Sequence, residues 1–183
     1  MTSAASPLLP PLAGEDHVCG ECGFSYPELR TDDVAALLRR DTAQLRDLIA
    51  ALGPGTAARR VPDVAGWSVA EYLCHLRDVY VVHTIRLHRA RWEDRPALEP
   101  MYNDLRAARF RYGQADPAIV IQDLANGMAG FLAEVDEAPT DGWDRVVTRI
   151  GEERTARWLV RNVAHESRHH LRDVAQLVAA TAD

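Results

Sequence analysis

The chain has 183 residues, 47% of them hydrophobic, which is enough to bury one sizeable core, and its formal net charge is -6. Acidic residues are spread along it with no basic stripe left over, which argues against a protein that tracks nucleic-acid phosphates. All 21 basic residues are Arg, so chemistry through a lysine Schiff base is excluded.

No apolar run reaches the roughly 18 to 20 residues of a membrane span, and no charged segment followed by an apolar stretch opens the chain, so a cytoplasmic protein is expected. Cys19, Cys22 and Cys74 are too few and too uneven for a disulfide framework, leaving metal or thiol chemistry as their use.

Residues 1 to 30 are rich in Pro and Gly and lack a sustained period, so they read as an extended arm interrupted by the CxxC. The hydrophobic period predicts a first helix from Asp32 to Leu52, with Thr31 as its N-cap and the GPG at Gly53 to Gly55 as its stop. A second helix opens at SVAE, where Ser68 and Glu71 form a capping box, and runs to about Trp92. Between Glu93 and Gly113 two prolines and mixed polarity predict a long connection with at most one short helix. Asp116 and Pro117 start a third helix as cap and first residue, carrying Val120, Leu124, Met128, Phe131, Leu132 and Val135. The stretch WDRVVTRIGEE suits a short hairpin, and Thr155 then caps the last helix. Four amphipathic helices with one long crossover predict an all-α fold, a four-helix bundle over 31–183.

The last helix carries VAHESRHHLRD, with three histidines in six residues. His165 and His169 are four apart, so both rings project from one face and can reach one ion. The bland alternative is one exposed and one packed histidine. Two features weigh against it: Asn162, His165, His169 and Gln176 form a polar strip beside a core face already supplied by Leu159, Val163, Leu171 and Val174; and His75 sits among Leu73, Leu76 and Val79, where an unpartnered ring costs about 1 to 3 kcal/mol. HESRH also fits the HExxH pattern of zinc proteases, but few residues follow it and Arg172 stands where the extended pattern needs Gly.

HVCGECGF, His17 to Phe24, has the form of one zinc knuckle. Cys19 and Cys22 supply half of a four-ligand set, His17 is a candidate third ligand, and spacing does not choose between His83 and His88 as a fourth. A redox CxxC is the competing reading.

Taken in order, CGECGF, EYLCHLRDVY, RYGQADPAIV and HESRHHLRDV resemble the DinB-like (YfiT-like) superfamily of metal-dependent four-helix proteins, in a branch with an N-terminal CxxC. Where that branch has an acid and a Pro after the first histidine of the last motif, this chain has Glu166 and Ser167. The resemblance implies His75, His165 and His169 as a metal triad with an open position for a substrate thiolate, and a transferase or isomerase that uses a small thiol, with mycothiol the candidate; imidazole ligands suit zinc or nickel as the metal, and the alternative is a non-catalytic, stress-associated protein that binds a metal or small ligand. The resemblance also suggests a homodimer. In this reading His170, Asp173 and Glu166 support the ligands, and Arg77 and Arg168 are candidates to bind substrate carboxylate or hydroxyl groups.

Overall fold

The computed structural model describes residues 9–53, 55–61 and 66–181; the first eight residues of the expected arm and Pro54 of the expected helix stop lie outside them. The helices are α1 (Val34–Ala50), α2 (Val69–Trp92), the short α3 (Asn103–Arg109), α4 (Pro117–Asp136) and α5 (Ala156–Thr181), and a hairpin of β1 (Val146–Arg149) and β2 (Glu152–Thr155) leads into α5. The bundle consists of α1, α2, α4 and α5. Both α4 and α5 pack against α2 and against α1, so the sequence neighbours α1 and α2 stand across the bundle from one another.

Local chemistry explains most of the boundaries. Ser68 accepts from the Glu71 amide while the Glu71 carboxylate accepts from the Ser68 amide at 2.8 Å, and Arg60 clamps the same carboxylate at 2.9 Å. Asp116 caps α4 through the Ala118 amide, ahead of Pro117. Thr155 Oγ1 accepts from the Trp158 amide at 3.0 Å. The first helix differs from expectation: Thr31 begins a 3-10 turn, Thr31–Asp33, and no side chain caps α1. Ile150 and Gly151 join the strands with φ of 49° and 83°, the positive values that a two-residue hairpin turn requires and that Gly supplies without strain.

The α2 helix is the buried axis of the fold, with Leu73, Cys74, Leu76, Val79, Tyr80 and Leu87 all in the core. It also buries His75, Asp78 and His83. Asp78 ties the crossover down: it accepts from Tyr112 and, at 2.6 Å, from Arg106 Nη2, while Arg77 bonds its other oxygen at 2.9 Å. Burial alone would raise the Asp78 pKa, but these three donors outweigh it and hold the carboxyl below its ordinary value. By length and composition α4 could cross a membrane, contrary to the expectation that no segment would. Its Leu124, Phe131 and Leu132 instead pack in the bundle core.

The arm runs along the hairpin and the start of α5. Leu12 N donates to Glu152 at 3.0 Å, Arg154 Nε and Trp158 Nε1 both donate to the Ala13 carbonyl, and Glu15 accepts from the Thr155 amide at 2.7 Å. The hairpin thereby serves as a mount for the arm.

Removing the cap hydroxyl in Ser68→Ala is expected to cost about 1 kcal/mol, read as a lower urea midpoint at unchanged slope. A second prediction concerns Asp41, fully buried on α1. Arg168 Nη2 lies 2.8 Å from its Oδ1, but off the line of a hydrogen bond, and burial pushes the carboxyl up to about 6. The folded state therefore holds this proton more tightly than the unfolded chain, so the ionised group lowers stability above pH 6 and that cost is relieved as pH falls. The stability of Asp41→Asn relative to the unsubstituted protein should drop by about 1 kcal/mol between pH 7.5 and pH 5; an unchanging difference in denaturation midpoints would contradict the shift.

Candidate metal centre

Two turns into α2, His75 points at α5 and is 3% exposed. Its Nε2 lies 3.0 Å from Glu166 Oε2, and His170 Nε2 lies 3.3 Å from the same oxygen. On α5 the residues Glu166 and His170 are one turn apart, so their side chains share a face. Asp173 accepts from His170 Nδ1 at 2.9 Å, which fixes the ring and leaves Nε2 toward Glu166. Trp67 stands edge-on to His75 with ring centroids 5.2 Å apart, and Tyr72 lies 4.9 Å from His170. These aromatic rings close one side of the group.

The charges are consistent with a cation site. Burial would raise the Glu166 pKa, but His170 and His75 hold it well below the usual carboxylate range. Burial works against a charged His170, yet Asp173 and Glu166 together push it up to about 9. Glu166 is thus an ionised carboxylate held directly by the His75 and His170 imidazoles. Donor pairs 3.0 and 3.3 Å apart are close to the roughly 3.3 Å between ligands in a tetrahedral site with bonds near 2.0 Å. His75, Glu166 and His170 therefore fit a divalent metal such as zinc.

His75 and Glu166 also line a cavity of about 580 Å³ that opens between α2, α5, the crossover and the arm. Leu9 to Ala13, Tyr26 and Trp158 form its apolar wall, and Tyr102 and Asn103 stand on the crossover side. Tyr102 has φ of 49°, the left-handed region that bulky residues seldom occupy. Deeper in, His83 donates through Nδ1 to the Val79 carbonyl at 2.9 Å, and Arg86 Nη1 lies 3.2 Å from its Nε2. Burial pushes His83 down to about 3, so the ring is neutral. Arg86 is pushed down to about 10 by burial and by Arg149. Arg149 bonds the Pro10 carbonyl at 2.7 Å, pairs with Glu152 at 3.4 Å and keeps a buried Nε without a partner among the described residues. Two guanidinium groups at one end of a cavity suit an anionic substrate.

The structure divides the residues singled out from sequence between two groups. His75 is joined by Glu166 and His170, whereas His165 and His169 turn away from it toward Cys19 and Cys22. The reason is rotation along α5: at 100° per residue His170 falls about 20° from Val163 on the core face, while His165 falls about 160° away. His17 is not among the converging donors; its ring packs edge-on against Tyr26. His83 lies in the cavity, and His88 pairs with Glu134, 3.3 Å away. Arg77 bonds Asp78 and Arg168 pairs with Asp41, and neither lines the cavity. Arg86 and Arg149 line it instead. Sequence reasoning passed over both, although Arg86 follows His83 by one helical turn.

Residues 37–174 match the family model of the DinB superfamily. Among solved structures, YfiT from Bacillus subtilis, described as a probable metal-dependent hydrolase with an unusual four-helix bundle topology, superposes with a TM-score of 0.74 at 21% identity, over 83% of this chain and 87% of that one. The mycothiol-dependent maleylpyruvate isomerase superposes with a TM-score of 0.65 at 14% identity, and this chain, of which 81% is matched, covers 62% of the isomerase. A mutant of that isomerase gives 0.64 at 15% identity over the same shares. At these identities the likenesses establish the fold alone. No curated protein matches the sequence. With the family model covering most of the chain and all four bundle helices in the YfiT arrangement, this protein belongs to the DinB superfamily.

Proposed function

We propose that the protein is a metal-dependent enzyme that joins a small thiol to an anionic electrophile, as a transferase or as an isomerase working through a thiol adduct. The observation that carries the reading is the convergence of His75, Glu166 and His170 on the wall of a cavity whose far end holds Arg86 and Arg149. Three protein ligands leave a position open, as catalytic zinc sites do. A divalent ion bound there supplies the charge that deprotonates a thiol near neutral pH, in a chain that has no lysine to do so.

The residues divide the remaining work. Asp173 holds His170 in the tautomer that presents Nε2. Arg86 and Arg149 take the electrophile's carboxylate and orient it, and their burial strengthens the attraction. Leu12, Tyr26 and Trp158 exclude water from one flank. The likeness to the mycothiol-dependent isomerase supports mycothiol as the thiol; two imidazoles and a carboxylate suit zinc as the metal, and the proposed location is the cytoplasm. A second copy of the chain is the proposed partner, seated on the exposed Val81, Ile85 and Trp92 of α2. The likeness to YfiT favours a second reading, in which the same centre activates water and the enzyme is a hydrolase.

Turnover of a panel of carboxylated electrophiles with and without mycothiol separates the two readings. Thiol-dependent turnover is expected; hydrolysis unaffected by thiol would transfer the site to the second. Glu166→Gln and His75→Ala should each lower kcat/KM about 100-fold or more. Arg86→Met should raise KM about tenfold with little change in kcat. An unaltered KM for a carboxylated substrate would remove Arg86 from its binding.

A further inference from the structure

The donors left over from the first centre form a second group. Cys19, Cys22, His165 and His169 each offer a ligand atom, and these four atoms lie within 4.8 Å of one another. Cys19 Sγ is 3.5 Å from His169 Nδ1, against roughly 3.6 Å between a sulfur and a nitrogen ligand on one tetrahedral zinc. Two cysteines come from the arm and two histidines from α5, residues about 150 apart in sequence that share no secondary structure.

The arm is shaped for this role. Cys19 N donates to the Phe24 carbonyl and Gly23 N to the Cys19 carbonyl, each at 2.9 Å, and Val18 pairs with Ser25 across the turn. Gly23 has φ of 71°, where a side chain would be strained. The loop therefore turns both sulfurs toward one point, as a zinc knuckle does.

The surroundings complete the ligands. Tyr26 Oη lies 3.3 Å from His165 Nδ1, and His165 Nε2 is buried with no partner among the described residues. A metal would supply that partner. The outward nitrogen of His169 faces the Glu21 and Asp173 carboxylates at 3.6 and 3.8 Å, the kind of support that orients a metal-bound imidazole. Phe24 stacks on His165 at 5.6 Å and shields the group.

We propose that Cys19, Cys22, His165 and His169 bind a structural zinc ion, distinct from the His75–Glu166–His170 centre, which fastens the N-terminal arm to α5. The clasp has a consequence for the cavity, because residues 9–13 and Tyr26 of the same arm line it. Fixing residues 19–22 on α5 holds that wall in place. Adjacent positions of one helix thus serve two ions, with 165 and 169 on the clasp and 166 and 170 on the first centre. Asp173 contacts ligands of both.

The test is metal content and cobalt spectroscopy on the full chain, produced without a histidine tag and loaded with zinc or cobalt alone. The expected result is two zinc ions per chain and, with cobalt, a thiolate-to-cobalt charge-transfer band. Cys22→Ser should lose one zinc and the charge-transfer band, and its arm should be cut faster by protease, while His75→Ala should lose one zinc and keep the band. Absence of the band in the cobalt-loaded protein without substitutions would overturn the clasp, and this readout needs no variant to fold. One zinc, retained in Cys22→Ser and lost in His75→Ala, would also overturn it while leaving the first centre intact. A single zinc that behaves the opposite way would support the clasp and remove the first centre.

Discussion

A carboxylate partly withdrawn from water between two imidazoles is stabilised by positive charge, and in this protein that carboxylate is Glu166, which keeps 28% of its side chain exposed at the cavity wall. It stands between His75 of α2 and His170 of α5, at the seam where two bundle helices pack. Desolvation opposes its ionisation, yet the two imidazoles keep it ionised. Neutralising it with a divalent cation, already surrounded by nitrogen and oxygen donors, satisfies the whole group at once. The positions of Asp173, Trp67 and Tyr72 follow from this requirement, since each orients or encloses one of the two rings.

The cavity depends on the same seam. The α2 helix contributes His75, Val79, His83 and Arg86 along successive turns, so one helix face passes from the candidate metal centre to the cationic end. The crossover and the arm supply the other walls, and neither has regular structure long enough to hold itself. Asp78 anchors the crossover through Tyr112 and Arg106, and the hairpin anchors the arm through Glu152, Arg154 and Thr155. Irregular segments carried on a rigid scaffold are a common place for specificity to reside.

The sequence was most informative where local rules act. The Ser68–Glu71 box, the Asp116–Pro117 start, the Thr155 cap and the hairpin are short-range devices, and all four are present as expected. Thr31 does not cap α1, because an acidic 3-10 turn supplies the helix start without a side-chain cap. The histidine cluster was harder, because HESRHH contains two i,i+4 pairs, 165 with 169 and 166 with 170. Counting imidazoles favours the first pair, but rotation about α5 brings the second nearer the core face and His75. The angle from Val163 carried that signal. The joining of Cys19 and Cys22 to His165 and His169 could not be read from spacing, because it depends on how the arm folds back over the hairpin.

The most direct measurement is a crystal structure of the zinc-loaded protein with anomalous diffraction recorded at the zinc edge. The account predicts one peak between His75, Glu166 and His170 and another between Cys19, Cys22, His165 and His169. A peak shared by His75, His165 and His169, with Glu166 outside it, would contradict the account.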